Sequence, residues 1–445
     1  KFLNPLRILV VSHTFPPQAE VGSIRVAQLC RYLSEYEIEP VVLTVDERFY
    51  RTVDPSRTVP PSIKVMRTRV MSTPLEWYGS VKGFLTPSGP PANSKTNGPD
   101  APEKQGDKQE IGWLRQNILA LFQIPDRDWG WYLPAILRAE QFLREERVDA
   151  MFSSGPPWTT HLVARHLKKK FQLPWLIDFR DPWSSLVPDR TGPRWWNQLA
   201  EHMEESCIRK SDMVLCNTDR LRRAFQRRYS TLNPEKFQTL TNGFEDLPAP
   251  QVLQANPRRL LLHLGSIYAN RRIDTFLTAL AGLVRSGRLN PESFQVVFQG
   301  GIGPAHRAEA ASIVPDLLQN KCVEFRSRVD WKQAWQLLWQ SDLLLLFQGN
   351  HELQVPAKFY EYLQTGIPIL AVTEEGALTD VLQATESGIW APSGDPQAIA
   401  DGLLRALEMP KRSREDVGDR LANRYHYRAL AGQLSQRIRE LSTGH

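Results

Sequence analysis

The stretch Leu343 to Val372, LLLLFQGNHELQVPAKFYEYLQTGIPILAV, decides how the rest of the chain is read. Five apolar residues, Leu343 to Phe347, bounded by polar ones, have the length and composition of a strand buried on both faces, as in parallel sheets. A polar loop leads to Val355-Pro356, and Pro356 suits the first position of a helix because its φ is already helical and its missing N–H would have no partner there. The pattern predicts a helix to about Thr365, stopped by Gly366 in the left-handed region and kept from restarting by Pro368. A second apolar run, Ile369 to Val372, completes a strand–helix–strand unit. In such units ligands sit beyond the carboxyl ends of the strands, so the start of the helix faces the ligand. Its N–H groups and dipole favour an anion there. Lys358 falls in the first turn, and Glu361 and Tyr362 share its face at i+3 and i+4. A cation, a dipole and an acid on one spot fit a nucleotide diphosphate with its ribose. The plainer reading is a Lys–Glu pair on the surface of an ordinary helix.

The string VPAKFYEYLQTGIPIL resembles the donor-site motif of the retaining family 4 glycosyltransferases, which have the GT-B fold. The resemblance implies that Lys358 binds the donor phosphates and that Glu361 holds the ribose. The family commonly writes this motif as Glu-x7-Glu. Here Leu353 stands eight residues before Glu361, and Glu352 comes one place early. Either a one-residue loop shift brings Glu352 into the first acid's place, or this branch does without it.

At 445 residues, the chain is too long for one core, so two domains are expected. Its 41% hydrophobic and 23% charged content is that of a folded protein. The net charge of +6 suits an anionic substrate or an anionic membrane surface. It is too small and too dispersed to indicate nucleic acid. Cys30, Cys207, Cys216 and Cys322 are scattered, with no C-x2-C pair, so free thiols of a cytoplasmic enzyme are expected rather than zinc or disulfides. The apolar runs are of strand length, far short of the ~20 residues of a membrane span.

In the first half, Arg7 to Ser12 reads as a buried strand, followed by a helix with Val26, Leu29, Cys30 and Leu33 on one stripe. Pro40 to Val45 is the next strand. Gly22, at the start of that helix, lets a backbone approach a phosphate or a sugar. A G-x-G-x-x-G fingerprint is absent, which argues against a dinucleotide enzyme. FPP…VGS…R is similar to the first loop of the same glycosyltransferase family, with Ser23 in place of its usual second glycine, and implies that Gly22 and Ser23 line the donor site. Arg25 either reaches the cleft or is a solvated helix arginine. Residues 86–110 have scarcely an apolar side chain and are expected to form a mobile insertion. Trp113, Leu114, Ile118, Leu121 and Phe122 follow at helical spacing. They either rest on an anionic bilayer or pack on the N-terminal domain.

Trp175 to Trp183, WLIDFRDPW, is a strand breaking into charge at its carboxyl end, where a sheet places chemistry. The alternative is an Arg–Asp pair bracing a loop. DFRDPW is similar to a form found in bacterial members of the family, many relatives of which carry a His-Asp pair there. Arg180 takes the histidine position and Asp181 matches the aspartate. An arginine is no base at neutral pH, so Arg180 is expected to neutralise the leaving diphosphate and Asp181 to orient it or touch the acceptor. Asn242-Gly243 resembles the family's turn at the end of the first domain, and residues 247–257 read as a Pro-rich linker.

The second half opens with a strand, Arg259 to Leu264, ending at Gly265. Arg271 and Arg272 stand where a helix begins, and the resemblance implies that one of them, Arg271 first and Arg272 in reserve, joins Lys358 on the donor phosphates. It also sets Arg328 and Val329 beside the base. Gly300, Gly301 and Gly303 either cradle a phosphate or form a structural turn. A last amphipathic helix is expected from Asn423 to Leu441, crossing back to the first domain.

The expected architecture is therefore α/β: a Rossmann-like acceptor domain over residues 1–246, a linker over 247–257, a Rossmann-like nucleotide-sugar domain over 258–420, and a returning helix over 421–445. The function this implies is metal-independent transfer of a sugar from a UDP- or GDP-type donor to a glycan or lipid-linked acceptor, in the cytoplasm or at the inner membrane face. A nucleotide-sugar 2-epimerase on the same fold and a non-catalytic sugar-nucleotide-binding subunit are the alternatives. Nucleotide binding and donor hydrolysis separate the three.

Overall fold

The structure, a computed structural model, describes residues 5–19, 21–50, 52–71, 124–187, 193–246, 257–267 and 271–443. The insertion expected at 86–110, the aromatic helix around Trp113 and nearly all of the linker at 247–257 lie outside the described residues. The chain divides into two units. The first holds the residues up to Asn242 together with the helix Tyr427–Thr443, and the second holds Gly243–His426.

The first unit is a parallel sheet of seven strands: β1 (Leu6–Val11), β2 (Ile38–Val45), β3 (Lys64–Thr68), β4 (Ala150–Gly155), β5 (Trp175–Phe179), β6 (Met213–Cys216) and β7 (Phe237–Thr239), ordered β3-β2-β1-β4-β5-β6-β7. Ile8, Leu9, Val10 and Val11 are all fully buried, because helices cover both faces of a parallel sheet. The helix Val21–Leu33 lays Val26, Leu29 and Leu33 on one of those faces. Leu430, Leu434 and Ile438 of the helix Tyr427–Thr443 complete the same cluster at i, i+4 and i+8. Each fully buried side chain of this kind contributes about 1.5–3 kcal/mol. The C-terminal helix therefore belongs to the first unit. The single helix expected from Asn423 is instead divided, Arg414–Tyr425 and Tyr427–Thr443, by His426 in an extended conformation. The Tyr425 carbonyl accepts from the Phe244 N–H at 3.0 Å.

The second unit repeats the plan with six parallel strands: β8 (Arg259–Leu264), β9 (Phe294–Gln299), β10 (Val323–Arg326), β11 (Leu343–Phe347), β12 (Ile369–Val372) and β13 (Gly388–Ala391), ordered β10-β9-β8-β11-β12-β13. β11 is apolar throughout because both its faces are used. Leu343, Leu345 and Phe347 join Phe276 and Leu280 on one side, and Leu344 and Leu346 join Phe359 and Leu363 on the other. The helix after β11 is Ala357–Leu363, shorter than the sequence pattern predicts. Pro356 is its N-cap, with ψ of 135°, rather than its first helical residue. Gly366 does adopt the left-handed conformation, φ +68°, and a Cβ there would meet the Arg412 carbonyl.

Candidate active site

Both sheets reverse their strand order once, between β1 and β4 and between β8 and β11, and such switch points are where open parallel sheets bind ligands. In the second unit the β8–β11 ladder ends at Leu262–Leu344, two residues before β8 itself ends. Leu264 is left with an N–H and a carbonyl facing the gap, and the helix Ala357–Leu363 supplies their partners. The Leu264 N–H donates to Tyr362 Oη at 2.9 Å. The Leu264 carbonyl accepts from Lys358 Nζ at 3.1 Å. Tyr362 is fully buried, and burial raises its phenol far above ordinary titration. The i, i+4 pair expected from sequence is thus wedged into the sheet.

Lys358 is half-buried. Its Nζ also lies 3.3 Å from Nε2 of His263, whose Nδ1 is 2.9 Å from the Leu345 carbonyl. Burial first, and then the charge of Arg271, push the Lys358 ammonium down from 10.5 to about 7, against a smaller opposing pull from Glu361. Gly265 has φ +115°, and a Cβ placed on it would stand 3.3 Å from Lys358 Nζ, so glycine keeps the approach to the ammonium open. Gly300 is a packing glycine here: a Cβ would collide with the Gly265 carbonyl.

Of the two arginines, Arg271 donates from Nη1 to the Ser266 carbonyl at 3.0 Å and acts electrostatically on Lys358. Arg272 pairs with Asp274 at 2.8 Å and is mostly exposed. Arg328 donates to Ser266 Oγ at 2.9 Å, so Ser266 links Arg271 and Arg328 through its carbonyl and its hydroxyl. Val329 and Glu361 are half-buried. The side chain of Glu352 is exposed, while its carbonyl accepts from Ala377 N–H at 2.7 Å and lies against Gly376.

In the first unit the charged residues are differently occupied. Arg180 is buried and folds back on the end of β4: its Nε donates to the Gly155 carbonyl at 3.2 Å and Nη2 to the Pro156 carbonyl. Its guanidinium lies over Gly22, where a Cβ would overlap it, so Gly22 admits a side chain of the protein itself. Ser23 is buried and donates to the Gln18 carbonyl at 2.7 Å. Asp181 is half-buried. Arg25 neither reaches a cleft nor lies in solvent. It is 2% exposed and grips Asp178 at 2.8 and 3.1 Å, with the carbonyls of Leu240 and Thr241 as further acceptors. Ser154 Oγ donates to the same carboxylate at 2.7 Å. His161 is fully buried with Nδ1 2.9 Å from Ser153 Oγ, and burial, then the charge of Arg180, pushes it down to about 3.

Two residues at the Lys358 site were not foreseen from the sequence, His263 and Ser266. The signal for the first was a histidine inside LLLHLG, Leu260 to Gly265, a run otherwise apolar. Among the described residues there is no group of three His, Cys, Asp or Glu that could hold a metal ion, and no helix long and apolar enough to cross a membrane.

The family model "Glycosyl transferases group 1" matches residues 248–424, and the model "Glycosyl transferase 4-like domain" matches residues 22–243. Among solved structures, sucrose-phosphate synthase from Thermosynechococcus elongatus superposes with a TM-score of 0.66 at 16% identity, covering 99% of each chain. Anabaena HepE in complex with UDP and glucose gives 0.60 at 12% identity over 98% of this chain and 100% of that one. WaaG, a glycosyltransferase involved in lipopolysaccharide biosynthesis, gives 0.56 at 14% over 97% and 99%. No curated protein sequence matches the chain. With one glycosyltransferase model on each sheet unit and GT-B neighbours over nearly its whole length, the chain is a glycosyltransferase of the GT-B fold.

Proposed function

We propose that the chain is a retaining family 4 glycosyltransferase of the bacterial DFRDPW kind, moving a sugar from a UDP- or GDP-type donor to a glycan or lipid-linked acceptor in cell-envelope or exopolysaccharide synthesis. The observation that carries this is Lys358, an ammonium at a switch point whose hydrogen-bond partners, His263 and Leu264, are both neutral. With Arg271 beside it, the spot attracts an anion, and the anion released by sugar transfer from a nucleotide donor is a nucleoside diphosphate. The UDP complex of HepE supports that ligand class.

Breaking the anomeric C–O bond leaves the bonding electrons, and hence negative charge, on the diphosphate. Fixed cations aimed at that oxygen act where charge develops, and such groups are typically worth about 3–4 kcal/mol each. Lys358 and Arg271 are assigned that role without a metal ion. Glu361 is assigned to the ribose, and Gly265, Arg328 and Val329 to the sides of the nucleotide. Arg272, turned to Asp274, is the reserve. Arg180 and Asp181 are assigned as the first unit's contribution to the chemistry, with Gly22 and Ser23 shaping the loop that holds Arg180. The reaction is proposed to take place in the cytoplasm or at the inner face of the plasma membrane.

The test is a thermal shift of the full-length chain with UDP and with GDP, followed by transfer and hydrolysis assays with the sugar donors of the nucleotide that binds. A rise in Tm with one of them and retention of anomeric configuration are expected. No shift with either overturns the proposal. Nucleotide binding without turnover favours the non-catalytic subunit, for which Leu353 in an acid's place and the exposed side chain of Glu352 speak.

A further inference from the structure

His263 is fully buried in the second unit's core, its ring 5.3 Å from that of Phe347 and 6.2 Å from that of Phe298. A polar ring there needs a reason, since burying it without partners is costly. Chemistry fixes its tautomer. The Leu345 carbonyl can only accept, so Nδ1 carries the hydrogen and donates across 2.9 Å. Burial, with Lys358 and Arg271 nearby, holds the imidazole well below its usual titration range, so it is neutral. Nε2 is left with a lone pair, and that lone pair faces Lys358 Nζ at 3.3 Å. The ammonium can only donate. Two of its three hydrogens meet fixed acceptors, Nε2 of His263 and the Leu264 carbonyl, and the third has no hydrogen-bond partner among the described residues. Among the described residues, the other charged or titratable groups acting on this spot are Arg271, Glu361 and Tyr362.

We propose that His263 is a positioning residue for glycosyl transfer: it braces β8 to β11 with one ring nitrogen and with the other holds Lys358 so that one N–H of the ammonium is aimed at the donor diphosphate. A flexible four-carbon side chain loses rotamer freedom when it binds. A lysine already anchored by two acceptors has less to lose, and this preorganisation is where His263 acts. A residue that only fastened two strands would need no acceptor on Nε2. The inference rests on the nucleotide-donor function proposed above.

The experiment is calorimetry of the full-length chain with UDP and, in parallel, GDP, on wild type, His263→Asn and His263→Gln, with the Tm of each unliganded variant. Asparagine keeps a donor where Nδ1 stands and cannot reach Lys358, whereas the glutamine amide reaches the Nε2 position. Roughly tenfold weaker binding is expected for His263→Asn and binding within about threefold of wild type for His263→Gln, from the cost of ordering one long side chain. Wild-type affinity in His263→Asn overturns the inference alone. Binding of neither nucleotide by the wild-type chain overturns the donor assignment and the inference with it. Should a variant be recovered unfolded, 15N NMR of wild type and Lys358→Met decides. An unprotonated His263 Nε2 whose resonance moves in Lys358→Met is expected, and a protonated Nε2 overturns the proposal.

Discussion

The two sheets of this protein share the strand order 3-2-1-4-5-6 in each unit's own numbering, to which the first adds a seventh strand, yet their switch points are built differently. In the first unit the central ladder runs to the last residue of β1, Val11 against Ser153, and the charged side chains nearby bond within the protein. Arg25 is bound to Asp178, and Arg180 to backbone carbonyls. In the second unit the ladder stops at Leu262–Leu344, and Lys358 and Tyr362 enter the gap. Among the described residues, Lys358 there has only neutral hydrogen-bond partners. Losing one member of a buried ion pair such as Arg25–Asp178 strands a charge and destabilises the fold, whereas a charge held among neutral acceptors already costs stability and can be met by a ligand.

That contrast is most easily broken by removing a charge from each side. Asp178→Ala leaves Arg25 buried without its carboxylate, and a loss of about 3–5 kcal/mol in urea unfolding is expected. A smaller loss than 1 kcal/mol would contradict the structural role given to the first unit's pair. Lys358→Ala is expected to do the reverse, lowering kcat/KM roughly a hundredfold or more with the urea midpoint unchanged or raised. Near-normal turnover would remove Lys358 from the chemistry.

The pH dependence sharpens the same point. The folded-state pKa of Lys358, about 7, lies below the 10.5 of the unfolded chain, so between those values the unfolded state holds more protons. Stability should therefore rise with pH across that window, and Lys358→Met should raise the Tm of the unliganded protein at pH 6 but not at pH 10. Nucleotide binding favours the ammonium, so the affinity for UDP or GDP should fall as pH rises above about 7. Calorimetry in two buffers should detect proton uptake at pH 8. A pH-independent affinity between pH 6 and 9 speaks against a titrating Lys358.

Smaller effects separate neighbours. Arg271→Ala should lower kcat/KM about tenfold or more, and Arg272→Ala, whose partner is Asp274, less than about threefold. The reverse order would move the phosphate contact by one residue. Ser23→Ala should cost only about 1 kcal/mol, the worth of one hydrogen bond to the Gln18 carbonyl.

Local pattern carried a good deal of this. β11, β12 and the left-handed conformation of Gly366 are as the sequence puts them, although the helix before that glycine already ends at Leu363, because a continuous apolar run and a left-handed glycine are consequences of neighbouring residues. The start of the intervening helix was misplaced because Pro356 serves equally as a cap, and only the chain's path into the helix selects between the two. Arg25 was misjudged for a different reason. Its partners Asp178 and Leu240 are 153 and 215 residues away, and a helical position says nothing about which distant strand it will meet.

The sequence by itself determined two parallel α/β units, the strand–helix–strand segment with Lys358 at its helix start, and the glycosyltransferase resemblance that goes with it, since these depend on spacing along the chain. Which charges are paired with an opposite charge inside and which are held among neutral partners was decided only by the tertiary structure. A cation's availability is set by the partners that strand pairing brings to it, such as His263 and Leu264 for Lys358, or Asp178 for Arg25. Those partners lie about a hundred residues or more away in the chain and within about 3 Å in the fold.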